Sequence, residues 1–159
     1  MAQEEVYFDK PDKDLGFLLW QTTMIWNREL NRALDTIDVT HTQFAIMAAL
    51  ASLLNESNSV TQKAIAKRSS TDTMMVSKVL RTLEKKGLIK REQHKKDTRA
   101  KCVFLTRDGV KTFQDAFKIT SESNTAFFSK LSDKSSFGKE LRKLILMKHT
   151  GINSKNNQI

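Results

Sequence analysis

Between Asp14 and Ile37, apolar residues recur at Leu15, Leu18, Leu19, Ile25, Trp26, Leu30, Ala33, Leu34 and Ile37. The spacing is helical over about six turns. A helix of that length at the start of a small protein is expected to pack against more than its own domain. Thr40 and Gln43 form a capping-box pair that opens the next helix, Phe44 to Leu54. That segment is apolar nearly all round, which predicts a place in the middle of the core. Beyond the polar loop of Asn55 to Val60, a short helix over Gln62 to Arg68 has Thr61 as its N-cap. Ser69 to Thr71 makes a turn, Asp72 caps a fourth helix, and Gly87 closes it as a C′ glycine.

Leu88 to Gln93 and Ala100 to Leu105 read as short strands on either side of a charged hairpin tip, His94-Lys-Lys-Asp-Thr-Arg99. Thr106 caps a long helix reaching about Leu131, and a last helix covers about Ser136 to His149. The expected fold is mainly α with a small two- or three-stranded β wing. Helix, short helix, turn, helix and hairpin, in that order, make a winged helix-turn-helix, here residues 38–109. It stands between an N-terminal helix, 14–37, and the C-terminal helices of 110–150. Residues 1–13, with the only proline, read as a loose arm, and 151–159 as a frayed tail.

Composition narrows the function classes. At 159 residues the chain suits one domain with helical arms. Its single cysteine excludes a disulfide framework and any multi-cysteine zinc finger, and suits a reducing cytosol. The start, Met1-Ala-Gln-Glu-Glu, is acidic without an apolar run, so no signal peptide is expected. Phe44 to Leu54, the longest mainly apolar stretch, is far short of the roughly 20 residues that span a bilayer. A cytoplasmic protein is expected.

The net charge of +9 gains meaning once it is located. Thirteen Lys and Arg and four acids lie between Thr61 and Lys101, giving 13 − 4 = +9. The rest holds 27 − 13 = 14 bases and 18 − 4 = 14 acids, and is neutral. Concentration of all the excess in 41 residues points to a polyanion. The alternatives are a solvated basic surface, or an acidic protein partner held by a winged-helix interaction module. Membrane binding is disfavoured, because the block is not one long amphipathic helix with aromatics along its apolar side.

The fourth helix decides how that charge is presented. At about 100° per residue, Val76, Val79, Leu80 and Leu83 share one stripe. Met74, Ser77, Lys78, Arg81 and Lys85 fall outside it, leaving a basic, hydroxyl-bearing face suited to a major groove or simply to solvent. The hairpin favours DNA. Lys95, Lys96 and Arg99 are fixed cations on an exposed tip that can follow the backbone into a minor groove, and Asp97 can orient Arg99 or cap the turn.

Four segments carry a resemblance: Val39-Thr-His-Thr-Gln-Phe, Val60-Thr-Gln-Lys-Ala-Ile-Ala, Val76-Ser-Lys-Val-Leu-Arg-Thr-Leu-Glu-Lys-Lys-Gly-Leu-Ile, and Asp97-Thr-Arg-Ala with Leu105-Thr-Arg-Asp-Gly. In this order and spacing, from Val39 to Gly109, they resemble the MarR family of bacterial transcriptional regulators. The resemblance implies a homodimer with intertwined first and last helices, bound to pseudopalindromic double-stranded DNA. It implies the fourth helix in the major groove and Arg99, steadied by Asp97, in the minor groove. It further implies a repressor released by a small aromatic or lipophilic ligand.

On that basis Thr61, Gln62 and Lys63, with the first amides of the short helix, are expected to grip phosphate. Thr73, Met74, Ser77, Lys78 and Arg81 are expected in the major groove, and Lys95, Lys96 and Arg99 on the flanking backbone and minor groove. Two positions depart from the family. Met74 and Met75 stand where small hydroxyl residues are frequent; Met74 can touch thymine methyls, and Met75, at the flank, is expected in the core. Ala64 stands where an acid would complete a capping box with Thr61.

Other chemistry is thin. Cys102 falls on the second wing strand, where Cys102 and Phe104 are expected to face opposite to Val103 and Leu105, and it reads as a structural cysteine. Family members that sense oxidation carry their cysteine in the first helix, which here has none. His41, His94 and His149 lie too far apart for a metal site, and no nucleophile elbow, P-loop or zincin motif is present. No enzyme activity and no cofactor are expected. Trp20, Met24, Trp26, Arg28, Phe44 and Met47 form a candidate ligand pocket, with Arg28 for an acid group, although such spacing also suits dimer or domain core.

Overall fold

The computed structural model describes residues 11–93 and 101–150, with side chains through 146. Helix α1 (Leu15–Leu34) starts where Asp14 accepts the Phe17 N–H at 2.6 Å. Only its C-terminal part enters the core, through Leu30 and Leu34. The expected run to Ile37 is divided: Asp35–Ile37 tightens into a 3-10 turn, and Asp38 (φ 54°) ends it in the left-handed region, which aspartate tolerates better than most residues.

Helix α2 (His41–Leu54) begins three residues before the expected Phe44, because the Thr40–Gln43 capping box places the first turn directly after Thr40. Both reciprocal bonds are made at 3.2 Å. Its Ile46, Met47, Ala49 and Leu50 sit among Val60, Ile65, Ala66, Val76, Leu80, Leu83, Leu88, Ile89 and Val103, as expected of a central helix. Helix α3 (Gln62–Arg68) has Thr61 as its cap, and α4 (Thr73–Lys85) has Asp72. Gly87 (φ 72°) lets the Leu88 N–H return to the Leu83 carbonyl at 2.9 Å, ending α4 as its sequence indicates.

Strands β1 (Ile89–Gln93) and β2 (Lys101–Leu105) pair antiparallel, with Arg91 opposite Val103. The expected alternation along β2 fails, since Cys102 and Val103 are both buried. The reason lies on the outer edge of β2. Thr61 bridges to Cys102, the Val103 N–H reaches the Val60 carbonyl at 2.8 Å, and the Cys102 thiol meets Ser59 Oγ at 3.4 Å. This isolated bridge of Val60 and Thr61 covers the side that alternation would leave open, and the wing keeps two strands.

Helix α5 (Arg107–Phe127) is capped by Thr106, whose Oγ1 accepts the Gly109 N–H and donates to the Gly87 carbonyl. A Cβ at Gly109 would lie 1.8 Å from the Leu88 carbonyl oxygen, so only glycine permits this approach of helix to wing. Phe113 of α5 stacks on Phe44 at 5.8 Å. The helix stops at Phe127 instead of about Leu131, the remainder tightening into a 3-10 turn over Phe128–Lys130.

The chain divides into two compact units, Met1–Ser123 and Asn124–Ile159. In the second, Phe128 packs against Phe127 (5.1 Å) and Phe137 (6.2 Å), and α6 (Lys134–Thr150) follows, begun by an Asp133 cap on the Ser136 N–H. Leu144, Ile145 and Leu146 of α6 are exposed. Among the described residues no single helix is long and apolar enough to cross a membrane.

Candidate nucleic-acid interface

Helix α4 is the most sharply two-faced element of the lobe. Val76, Leu80 and Leu83 are fully buried, and Val79 packs partly against the same core. Thr73, Met74, Lys78, Arg81 and Lys85 are exposed, and Ser77 is half-buried. Lys78, Arg81 and Lys85, with Thr82 and Glu84, line one shallow surface hollow. Arg81 lies back along the helix, its Nε donating to the Ser77 carbonyl at 3.3 Å. Met75 is 47% exposed, contrary to the expected core position. It belongs to the first turn, which projects past the packed part of the stripe beginning at Val76.

The helix-turn-helix is braced at its start. Thr61 Oγ1 accepts the Ala64 N–H at 3.3 Å, the half of the capping box that alanine leaves possible. The Gln62 side-chain amide donates to the Thr73 carbonyl at 3.0 Å, tying the first turn of α3 to the first turn of α4. Lys63 beside it is exposed. Gln62 thus orients the two helices, a role its sequence position alone does not reveal.

The basic block is sorted into two sets by acids that lie partly outside it. Arg68 is clamped by Glu56 at 2.6 and 3.0 Å and by Ser52. Lys86 pairs with Asp38 at 2.9 Å, Lys90 with Glu92 at 2.6 Å, and Arg91 with Glu84 at 2.5 and 3.0 Å. Of ten described cations between 61 and 101, four are paired; Lys63, Lys67, Lys78, Arg81, Lys85 and Lys101 have no acid partner among the described residues.

The Arg91–Glu84 pair also joins β1 to α4. The Arg91 hydrogen bond holds the Glu84 carboxyl below the ordinary glutamate value; desolvation opposes it, and the charges of Arg91 and Lys101 add a smaller pull. Lys101 therefore lies electrostatically close to the Lys85 end of α4. Glu56 is lowered likewise, first by its hydrogen bond to Arg68.

His94, Lys95, Lys96, Asp97 and Arg99 of the hairpin tip lie outside the described residues. The candidate pocket residues are dispersed in their surroundings. Met47 is fully buried in the core, Phe44 stacks on Phe113, and Trp20, Met24 and Arg28 are exposed. Trp26 packs edge-on against His41 at 4.7 Å. His41 forms a joint that sequence inspection missed: its N–H donates to Asn31 Oδ1 (2.8 Å) and its Nδ1 meets Asn27 Oδ1 (2.5 Å). Burial lowers its pKa. The available signal was the pair of asparagines four apart on α1. Among the described residues no three His, Cys, Asp or Glu are grouped to hold a metal.

A model of the MarR family matches residues 39–101. An uncharacterised HTH-type transcriptional regulator of Bacillus subtilis (strain 168), YdcH, is 38% identical over 138 residues, covering 87% of this chain and 94% of that protein. A cysteine-to-serine mutant of MarR from E. coli, complexed with operator DNA, superposes with a TM-score of 0.76 at 22% identity, covering 89% of this chain and 99% of that one. CouR from Rhodococcus jostii RHA1, bound to p-coumaroyl-CoA, superposes with a TM-score of 0.72 at 20% identity, covering 86% and 92%.

Proposed function

The chain belongs to the MarR family, and from that membership we propose that it is a transcriptional regulator that binds operator DNA as a homodimer. The observation that carries the proposal is the outer stripe of α4. Lys78, Arg81 and Lys85 have no acid partner among the described residues, while neighbouring cations are neutralised within the lobe. Helix α4 enters the major groove, with Thr73, Met74, Ser77, Lys78 and Arg81 toward the bases. Thr61 and Lys63 hold phosphate beside it, and Gln62 keeps α3 and α4 in register. Lys95, Lys96 and Arg99 follow the backbone into the minor groove, Arg99 steadied by Asp97.

The dimer is supported by the exposed apolar residues of α1 and of α6, which serve as dimerisation helices. Repression relieved by a small lipophilic or aromatic effector accords with the ligand-bound relative. Trp20, Met24, Trp26, Arg28 and Phe44 are the first residues to test for such a ligand. The regulator acts where its operator is, in the cytoplasm.

Selection of bound sequences from a random duplex pool, followed by a gel shift, tests the proposal. A pseudopalindrome with half-sites about one helical turn apart is expected. With about four phosphates per subunit, the logarithmic salt slope is expected near −7, or about four decades of affinity between 50 and 200 mM salt. Equal affinity for selected and random duplex would favour an acidic protein as the partner of the basic block.

A further inference from the structure

Met74 and Met75 are the only exposed large hydrophobic residues among the described residues of 39–105; Met74 is 83% exposed. They do not form part of a broader apolar patch. At 100° per residue Met74, Lys78, Arg81 and Lys85 lie within about 60° of one another, so one thioether heads a stripe of three cations. Met75 stands at its flank.

The backbone that presents them is fixed on both sides. Asp72 accepts the Met75 N–H at 2.8 Å, and Gln62 donates to the Thr73 carbonyl at 3.0 Å. The thioethers thus extend from a pinned first turn. A methionine side chain has no donor for the acceptor atoms of a base edge, and its sulfur is a weak acceptor. The group in a major groove that rewards an apolar contact is the C5-methyl of thymine. The cations behind Met74 match the phosphates flanking such a base, whereas an apolar protein surface would have to desolvate them.

We propose that Met74, with Met75 beside it, reads the C5-methyl group of a pyrimidine, so that each half-site carries a thymine under the tip of α4 and accepts 5-methylcytosine in place of cytosine there. The proposal rests on the DNA-binding function argued above and adds the chemical group that is recognised.

The test uses the full-length protein and the duplex obtained by selection. Each thymine is replaced by deoxyuridine, which deletes the methyl and keeps the hydrogen-bonding edge. One position per half-site is expected to lose about fourfold in affinity, the factor matching about 0.8 kcal/mol for one buried carbon, and about fifteenfold when both half-sites are changed. Met74→Ala is expected to bind the thymine and uracil duplexes alike, and Met74→Leu to restore discrimination. Adding a C5-methyl to cytosine at the same position is expected to raise wild-type affinity. Tight binding of the selected duplex with no uracil effect at any position, or with the same effect in Met74→Ala, overturns the methyl contact and leaves DNA binding standing. Absence of any preferred duplex overturns DNA binding itself.

Discussion

Helices α1 and α4 use the same device and leave opposite surfaces outside. Each buries a short apolar stripe in the same lobe, Leu30 and Leu34 from one, Val76, Leu80 and Leu83 from the other. Outside the lobe, α1 exposes Leu15, Leu18, Leu19, Trp20, Met24 and Ile25. Helix α4 exposes Thr73, Lys78, Arg81 and Lys85 behind its methionine tip. An apolar surface of that extent calls for another apolar surface. A cationic stripe without acid partners among the described residues calls for an anion. Under the proposed function the two helices divide the work of a regulator: α1 would join two copies and α4 would meet the operator.

The largest effect is expected from changing what α1 leaves outside. Leu19→Glu with Ile25→Glu puts two charges among the exposed apolar residues of α1 and leaves Leu30 and Leu34 unchanged. Sedimentation is expected to show a monomer with unchanged helix content. Operator affinity is expected to fall by about a hundredfold or more, since a single half-site offers half of the phosphate contacts. A dimer of normal affinity would take α1 out of the subunit interface.

Next in size is a pair of substitutions on opposite sides of α4. Arg81→Ala is expected to weaken operator binding about tenfold, within the 1–3 kcal/mol range of a base contact, while the urea midpoint stays in place. Leu80→Ala, fully buried, is expected to cost about 2–5 kcal/mol of folding stability. If Arg81→Ala instead lowers the urea midpoint and spares affinity, the outer stripe is structural and the contrast with α1 collapses.

Local chemistry made much of this legible. The Thr40–Gln43 box, the Thr61, Asp72 and Thr106 caps and Gly87 each fix a boundary through bonds within a few residues, and the stripe of α4 follows from periodicity. What escaped depends on distant partners. A count of thirteen bases in the block does not show that Arg68 belongs to Glu56 and Lys86 to Asp38, because those acids lie outside it. Burial of both Cys102 and Val103 needs Val60 and Thr61 on the outer edge of β2, a pairing across about forty residues that strand alternation cannot anticipate. Met75 misled for the converse reason: its angle suits the flank of the core, but in the first turn it stays 47% exposed. The role of His41 in joining α2 to α1 was hidden because Asn27 and Asn31 look like ordinary polar positions of α1.

The smallest effect concerns the acid set within the cationic helix. Glu84 is held ionised by Arg91, with its pKa below the ordinary 4.5. A carboxyl whose folded-state pKa is depressed contributes stability that is present above the unfolded value and lost as pH falls through the folded one. Glu84→Gln removes that contribution. Wild type and variant are expected to have the same urea midpoint in acid, below the folded-state value, to separate as pH rises from that value to 4.5, and to stay apart above it, wild type being the more stable. Glu84 stays in contact with solvent (41% exposed) although Arg91 is partly buried (19%), so screening is expected to hold the separation to about 1 kcal/mol. The freed Arg91 adds a cation near α4, so at neutral pH the same variant is expected to bind DNA slightly more tightly and with a steeper salt slope. A difference in stability independent of pH would mean that Glu84 acts by packing and that Arg91 does not brace the wing to the recognition helix.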